Sequence, residues 1–67
     1  MNIQLNGDDL VIEASSTVFD VLEKQGMAEK KGIAVAVNQS VVPRTEWADR
    51  QINENDKLLI ITATQGG

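Results

Sequence analysis

The residues best suited to chemistry stand at the end of the sequence, Thr64-Gln65-Gly66-Gly67. Because glycine has no Cβ, Gly66 and Gly67 can pass through a narrow channel and take backbone dihedrals closed to other residues. They follow an apolar segment typical of a strand, which would give this tail a fixed root. A tail of about six residues extends at most ~20 Å, far enough to enter the active site of a neighbouring protein. An ordinary frayed end is the alternative interpretation.

The terminal carboxylate of Gly67 is the reactive group that such a tail would present to a partner. A carboxylate is ionised at neutral pH and is a poor acyl electrophile, so it must first be activated. A mixed anhydride with AMP would supply a leaving group, which a sulfur donor could displace to give a thiocarboxylate. We therefore expect Gly67 to be the modified residue, and Gly66, Gln65 and Thr64 to enter the active sites of partner proteins.

The usual catalytic side chains are missing from this sequence. It contains no Cys, His or Tyr, which removes the common general bases and nucleophiles as well as the ligands of a structural zinc site. The paired carboxylates of Asp8 and Asp9 follow a predicted turn, where we expect them to be solvated. The sequence thus predicts a protein that is not an enzyme and that binds no metal or cofactor.

Size and charge limit the classes of partner. The 67 residues suffice for one domain, and 42% of them are hydrophobic. Six basic residues against ten acidic ones give a net charge of −4, which argues against nucleic acid and against an anionic membrane surface. No segment approaches the ~20 apolar residues of a membrane span, and the first residues do not resemble a signal peptide. We therefore expect a cytoplasmic location.

The first half of the chain predicts a hairpin and a helix. Residues 2–6 alternate between apolar and polar, as in a half-buried strand, and Asn6-Gly7 favours a tight hairpin turn into a partner strand over residues 10–14. Thr17 is a suitable N-cap, with Asp20 completing a capping box, and Gly26 suits a left-handed C-cap. The helical face predicted to enter the core carries Val18, Val21 and Leu22.

The second half predicts the remaining strands. Residues 27–32 are polar enough for a solvated loop, whereas residues 33–37 indicate a strand buried on both faces. Pro43 favours a short helical turn over residues 43–48, in which Trp47 belongs to the core. Residues 57–63 form the last and most apolar strand.

This order of elements predicts an α+β protein with a β-grasp arrangement. A hairpin packs on one main helix, and the last strand inserts beside the first in parallel pairing, which satisfies the rules of short and right-handed connections. The result is a mixed sheet covered by one helix. We expect residues 1–63 to form the domain and residues 64–67 to form a flexible tail.

Several stretches together resemble the ThiS family of sulfur carriers in thiamine biosynthesis. They are residues 1–7, the segment Thr-Val-Phe-Asp-Val-Leu at 17–22, the pattern Asn-Gln-x-x-Val-Pro-Arg-x-x-Trp at 38–47, and the terminal Gly66-Gly67. The resemblance covers essentially the whole chain. It implies a ubiquitin-like β-grasp fold and a sulfur carrier that serves formation of the thiamine thiazole.

The resemblance also implies a set of partners. An E1-like, ThiF-like adenylyltransferase would activate Gly67 with ATP, and a cysteine persulfide, such as that of a cysteine desulfurase, would supply the sulfur. Thiazole synthase, ThiG-like, would accept sulfur from the Gly67 thiocarboxylate. Both enzymes would dock on an apolar sheet face next to the tail, to which we assign Leu58 and Ile60 of the last strand. For Arg44 we expect a structural ion pair with an acidic neighbour.

Three other functions remain open on the residues alone. The small subunit of molybdopterin synthase, MoaD-like, shares the fold and the thiocarboxylate chemistry, although its chains are generally longer. A ubiquitin-like protein modifier would form isopeptide bonds with lysines through Gly67. A plain interaction domain would carry the tail incidentally.

Overall fold

The structure, a computed structural model, describes residues 1–62, which form five strands, one α-helix and one short 3₁₀ helix. In chain order these are β1 (Asn2–Leu5), β2 (Asp8–Val11), α1 (Val18–Lys24), β3 (Ile33–Val37), β4 (Ser40–Val42), the 3₁₀ helix Arg44–Glu46 and β5 (Lys57–Thr62). Within these residues, no helix is long and apolar enough to cross a membrane.

The strands form one mixed sheet in the order β2-β1-β5-β3-β4. β5 runs parallel to β1, with Gln4 opposite Lys57, while the other neighbouring strands are antiparallel. The last strand therefore lies in the middle of the sheet, and α1 packs on one face of it. The predicted β-grasp fold, a mixed sheet on one main helix, is confirmed.

Helix α1 begins and ends where its capping residues predict. The Thr17 side chain accepts a hydrogen bond from the Asp20 N–H (3.2 Å), and the Asp20 carboxylate accepts one from the Thr17 N–H (2.9 Å), which completes the capping box. Gly26 follows the helix with a φ of +73°, a conformation that glycine takes without steric cost. The predicted apolar face is buried, and its residues are Val18, Val21 and Leu22.

The core lies between α1 and the inner face of the sheet. Trp47 is one of its largest side chains, as predicted, and its indole Nε1–H donates to the Val42 carbonyl over 2.9 Å. That bond satisfies the polar atom of an otherwise apolar side chain. The other buried apolar residues are Ile3, Ile12, Val18, Val21, Leu22, Val35, Val37, Val42, Ile52, Leu58 and Ile60.

Three sequence-based predictions about local structure are wrong in part. β2 spans Asp8–Val11 rather than residues 10–14, because the tight turn places Asp8 opposite Leu5 and pairing starts at once. β3 is not buried on both faces: alternate residues enter the core, but Ala34 is exposed, since α1 covers one side of the sheet only. Residues 27–32 are not fully solvated, because Met27 and Ala28 pack against the core.

Arg44 has a structural role, but its partners are not the acidic residues that we expected. Its guanidinium donates to the carbonyls of Lys30 (2.6 Å) and Ala28 (3.3 Å), and its Cζ lies 4.5 Å from the ring centroid of Trp47. Backbone oxygens accept from a guanidinium as a carboxylate does, and the aromatic face attracts the cation. Arg44 thus ties the loop after α1 to the 3₁₀ helix.

Asn6 fixes the position of β5 beside β1. It follows the last residue of β1 and takes the left-handed φ of +51°, which Asn tolerates better than most residues. Its N–H donates to the Leu58 carbonyl (2.9 Å), and its side-chain Oδ1 accepts from the Ile60 N–H (2.7 Å). The side chain therefore extends the hydrogen-bond ladder past the end of β1.

Replacing Asn6 with Ala should loosen the second half of β5. The variant loses the acceptor for the Ile60 N–H, and we expect the free energy of unfolding to fall by about 1–3 kcal/mol. Urea unfolding measures the loss, and amide hydrogen exchange at Ile60 should accelerate. Asn55→Ala is the matched control, because Asn55 also has a left-handed φ, +68°. Equal losses in the two variants, with unchanged exchange at Ile60, would contradict this role of the Asn6 side chain.

Candidate functional site

The described residues end at Thr62, the last residue of β5. The predicted modification site, Gly67, lies outside them, as do Gly66, Gln65 and Thr64. The part of the site that the structure describes is therefore the strand that leads to these residues and the sheet surface around it.

Both edges of β5 are held by hydrogen bonds. On one side β3 pairs with it along most of its length, from Val37 opposite Leu58 to Ile33 opposite Thr62. On the other side β1 pairs with Lys57 and Leu58, and the Asn6 side chain continues this edge as far as Ile60. Thr62 is thus the last residue of a central strand of the sheet.

A second asparagine holds the start of β5. The Asn38 N–H donates to the Lys57 carbonyl (2.8 Å), and its side-chain Oδ1 accepts from the Lys57 N–H (3.0 Å). Its Nδ2 donates to the buried Asp56 carboxylate (2.9 Å), whose other oxygen accepts from the Asn53 N–H (2.7 Å). Each polar atom of this cluster has a partner, so the cluster fixes the register of β5 without an unsatisfied group.

Sequence reasoning missed the contribution of these side chains. Asn6 and Asn38 each stand at a turn, and turn chemistry explains an asparagine there without any contact to β5. The available signal was the recurrence of asparagine at two turns of a short chain. That signal does not say which strand the side chains contact.

The side chains proposed for partner binding need correction. Leu58 and Ile60 are 2% and 7% exposed, and both lie in the core under α1. Successive side chains of a strand point to opposite faces, so their neighbours Leu59 and Ile61 lie on the outer face of the sheet, 48% and 52% exposed. Four consecutive apolar residues give no alternation from which the buried pair could be recognised.

Leu59 and Ile61 belong to an exposed apolar area that we call the apolar outer face. In the sheet register Leu59 lies opposite Ala36, Ile61 opposite Ala34, and Ala36 opposite the exposed Val41. The small alanines leave the larger side chains open to solvent. A contiguous exposed apolar surface of this kind is typical of a protein-binding site. Val11 is also exposed (75%), but it lies on β2, at the edge of the sheet beyond β1.

Neither a metal site nor a catalytic cluster is visible around this surface. Among residues 1–62, no three side chains of the His, Cys, Asp or Glu type come together in a way that could hold a metal ion. The side chains around β5 are aliphatic groups, asparagine amides, the Lys57 ammonium and the buried Asp56 carboxylate. Their arrangement suits the positioning of a chain end and the docking of another protein.

Known proteins match this chain over its whole length. The ThiS family model matches residues 2–67. The sulfur carrier protein ThiS of Escherichia coli (strain K12) is 33% identical over 67 residues, 100% of both chains. That of Thermus thermophilus is 34% identical over 65 residues, 97% of this chain and 98% of the relative. A thiazole synthase of Paramagnetospirillum magneticum is 34% identical over all 67 residues, which make up 20% of its own length.

A solved structure agrees with the fold. The crystal structure of a thiamine biosynthesis protein (ThiS) from Geobacter metallireducens superimposes with a TM-score of 0.86 at 22% identity, and the match covers 100% of both chains. The family model includes the terminal glycines, and two full-length relatives are sulfur carriers. The chain belongs to the ThiS family and is a sulfur carrier protein of thiamine biosynthesis, not an enzyme.

Proposed function

We propose that the carboxylate of Gly67 is the group that carries the sulfur. The observation that carries this proposal is the course of β5, which is held on both edges as far as Ile60 and by β3 up to Thr62, five residues before Gly67. A chain that leaves a central strand has a fixed origin. Five residues span at most about 17 Å, so the carboxylate can reach into a partner docked beside this end of the sheet.

The proposed chemistry begins with adenylation. A carboxylate oxygen of Gly67 attacks the α-phosphorus of ATP, pyrophosphate leaves, and a glycyl adenylate forms. The terminal sulfur of a cysteine persulfide then attacks the carbonyl carbon and AMP leaves, which gives an acyl disulfide. A second thiol attacks the donor cysteine's sulfur, and the thiocarboxylate is released as a new disulfide forms. ATP is thus a substrate of the activating partner, and the carrier itself binds no cofactor.

The first step of this chemistry, adenylation, and the last, sulfur transfer, each require a partner enzyme. An E1-like adenylyltransferase binds the carrier and ATP, and a thiazole synthase accepts the sulfur. In support of the second partner, a segment similar to this chain makes up one fifth of the Paramagnetospirillum magneticum thiazole synthase. A carrier joined to its acceptor in one polypeptide acts at a raised effective concentration. We place this activity in the cytoplasm.

The apolar outer face is the proposed docking surface for both enzymes. Leu59 and Ile61 stand on β5 itself, so a partner that covers them also covers the origin of the tail. Burying these two half-exposed aliphatic side chains would release water from apolar surface, which is the main favourable term in most protein association. One surface that serves two enzymes in turn would also prevent both from binding at once.

Gly67 should be required for sulfur loading and dispensable for folding. With the adenylyltransferase, ATP and a persulfide donor, the intact mass of the full chain should rise by one exchange of oxygen for sulfur. Deletion of Gly67 should abolish that mass change and leave the circular dichroism spectrum and the unfolding free energy unaltered, since the core found within residues 1–62 is built from other side chains. Adding a residue after Gly67 is the matched control and should also block loading.

Two outcomes would count against this function. One is sulfur loading of the Gly67-deleted chain. The other is a product in which Gly67 is joined to lysine side chains, which would indicate a protein modifier. Sulfur transfer from the loaded chain to a molybdopterin synthase large subunit, and not to thiazole synthase, would assign the carrier to the other pathway.

Removing the exposed aliphatic groups of β5 should weaken partner binding without unfolding the domain. In the double variant Leu59→Thr/Ile61→Thr we expect Kd for the adenylyltransferase to rise about tenfold or more, as for hot-spot side chains, while threonine keeps the strand propensity. Titration calorimetry measures Kd, and urea unfolding reports stability. Val11→Thr is the control, because Val11 is exposed on β2, outside the apolar outer face. If the control weakened binding equally, the docking surface would be elsewhere.

A further inference from the structure

A groove of about 490 Å³ opens at the end of the sheet opposite Thr62. The β1–β2 turn forms one wall and the β3–β4 turn the other, with the start of β5 between them. Leu59 and Ala36 line the groove and also belong to the apolar outer face. A partner that covers the apolar outer face would therefore extend over this groove.

The two turns that form its walls have the same backbone but different second residues. Each connects paired strands through two residues of positive φ, as type I′ turns require. In the β1–β2 turn these are Asn6 (+51°) and Gly7 (+87°), and in the β3–β4 turn Asn38 (+50°) and Gln39 (+73°). A glycine takes this conformation freely, whereas the Cβ of glutamine makes it unfavourable.

The fold gives no reason for a glutamine at this position. Asn6, Asn38 and Asp56 make the side-chain hydrogen bonds that hold the two turns to β5, and Gln39 is exposed. Residues kept in sparsely populated backbone regions concentrate at binding and active sites, where the side chain is needed for function. Gln39 lines the groove.

The groove also contains an exposed cation. Lys57, the first residue of β5, lines it. Across the outer side of β5, β3 and β4, the other strand positions are aliphatic, and the ion pair found within residues 1–62 joins Lys24 to Glu13 instead. The groove thus combines an apolar floor, an ammonium group and an amide that can both donate and accept.

We propose that this groove receives an extended, acidic segment of the thiazole synthase, with a carboxylate at Lys57 and main-chain groups at the Gln39 amide. Apolar side chains of the same segment would pack on Leu59 and Ala36. The inference rests on the proposed function, because it specifies how the sulfur-accepting partner binds. The acidic character follows from charge complementarity with Lys57, and an amide that donates and accepts matches an extended backbone.

The test measures Kd of the full-length chain for thiazole synthase from the same organism. In Gln39→Gly we expect Kd to rise about threefold to tenfold, the value of one hydrogen bond, while the thermal midpoint stays level or rises because the backbone strain is relieved. Ser15→Gly is the matched control, since Ser15 also has a positive φ (+69°) but precedes α1, away from the groove. It should keep wild-type affinity.

The charge is tested separately. Lys57→Glu should raise Kd about tenfold at low ionic strength, and the effect should shrink as salt is added. Lys24→Glu changes the net charge by the same two units from −4, but on α1, and should bind as the wild type does. Comparing the two separates a local contact from long-range attraction.

Each result decides the proposal. The proposal is overturned if Gln39→Gly and Lys57→Glu both bind thiazole synthase with wild-type affinity. It is also overturned if the variants lose affinity for the adenylyltransferase alone, because the groove would then bind that enzyme. A lowered thermal midpoint of Gln39→Gly overturns the claim that Gln39 opposes the backbone preference. If wild-type chain loads sulfur but does not bind thiazole synthase, both this inference and the proposed acceptor fail; if wild type binds and the variants bind equally well, only the groove is wrong.

Discussion

Strand β5 lies between β1 and β3, and its side chains alternate between two environments. Leu58 and Ile60 enter the core, while Leu59 and Ile61 face solvent. A slip of one residue would exchange the two pairs, because the side-chain period of a strand is two. Since all four residues are apolar, burial alone would distinguish the two registers only weakly. The register must therefore be set by polar contacts, and Asn6 and Asn38 supply them by bonding to main-chain atoms of Leu58, Ile60 and Lys57. The register of β5 decides which of these residues form the apolar outer face.

Because of this constraint, the residues that stabilise the fold are separate from the residues with proposed chemistry. The asparagine contacts hold β5 from Lys57 to Ile60, a span that includes the core residues Leu58 and Ile60, and β3 continues the pairing to Thr62. The residues with proposed chemistry follow Thr62, whereas the core found within residues 1–62 is built from side chains that precede them in the sequence. A carrier that must present one group to different enzymes benefits from this division, because changes in the partner-bound end do not have to disturb the packing. Under the proposed function, a chain without Cys, His or Tyr can serve a reaction because the reacting group would be the main-chain carboxylate of Gly67 and the catalytic groups would belong to partners.

Sequence reasoning predicted the elements whose signals are local. The Thr17 capping box, the Asn6-Gly7 turn and the buried Trp47 each depend on residues close together in the chain or on an unmistakable side chain. It failed where contacts between residues far apart in the sequence determine the structure. The inner face of β5 is set by Asn6, more than 50 residues earlier, and Arg44 contacts carbonyls of a loop well before it in sequence. For β3 the signal was present but misinterpreted: valines at positions 35 and 37 alternate with alanines at 34 and 36, which indicates one buried face and not two. For the terminal glycines, the proposed role rests on residue type and on their position in the sequence.

The outer side of the sheet combines two features that do not favour folding. Leu59, Ile61 and Val41 expose apolar surface there, and Gln39 holds a left-handed backbone conformation at its edge. On the opposite side, α1 has a complete capping box and an apolar face that is fully buried. Natural sequences are locally consistent with their fold except where function requires otherwise, so two such exceptions on one surface are informative. Exposed aliphatic groups on a single strand have a simple alternative explanation, since monomeric proteins expose many of them. The packing offers no such explanation for Gln39 at a position that favours glycine. Gln39 also lies beside the apolar outer face, so one partner could contact both.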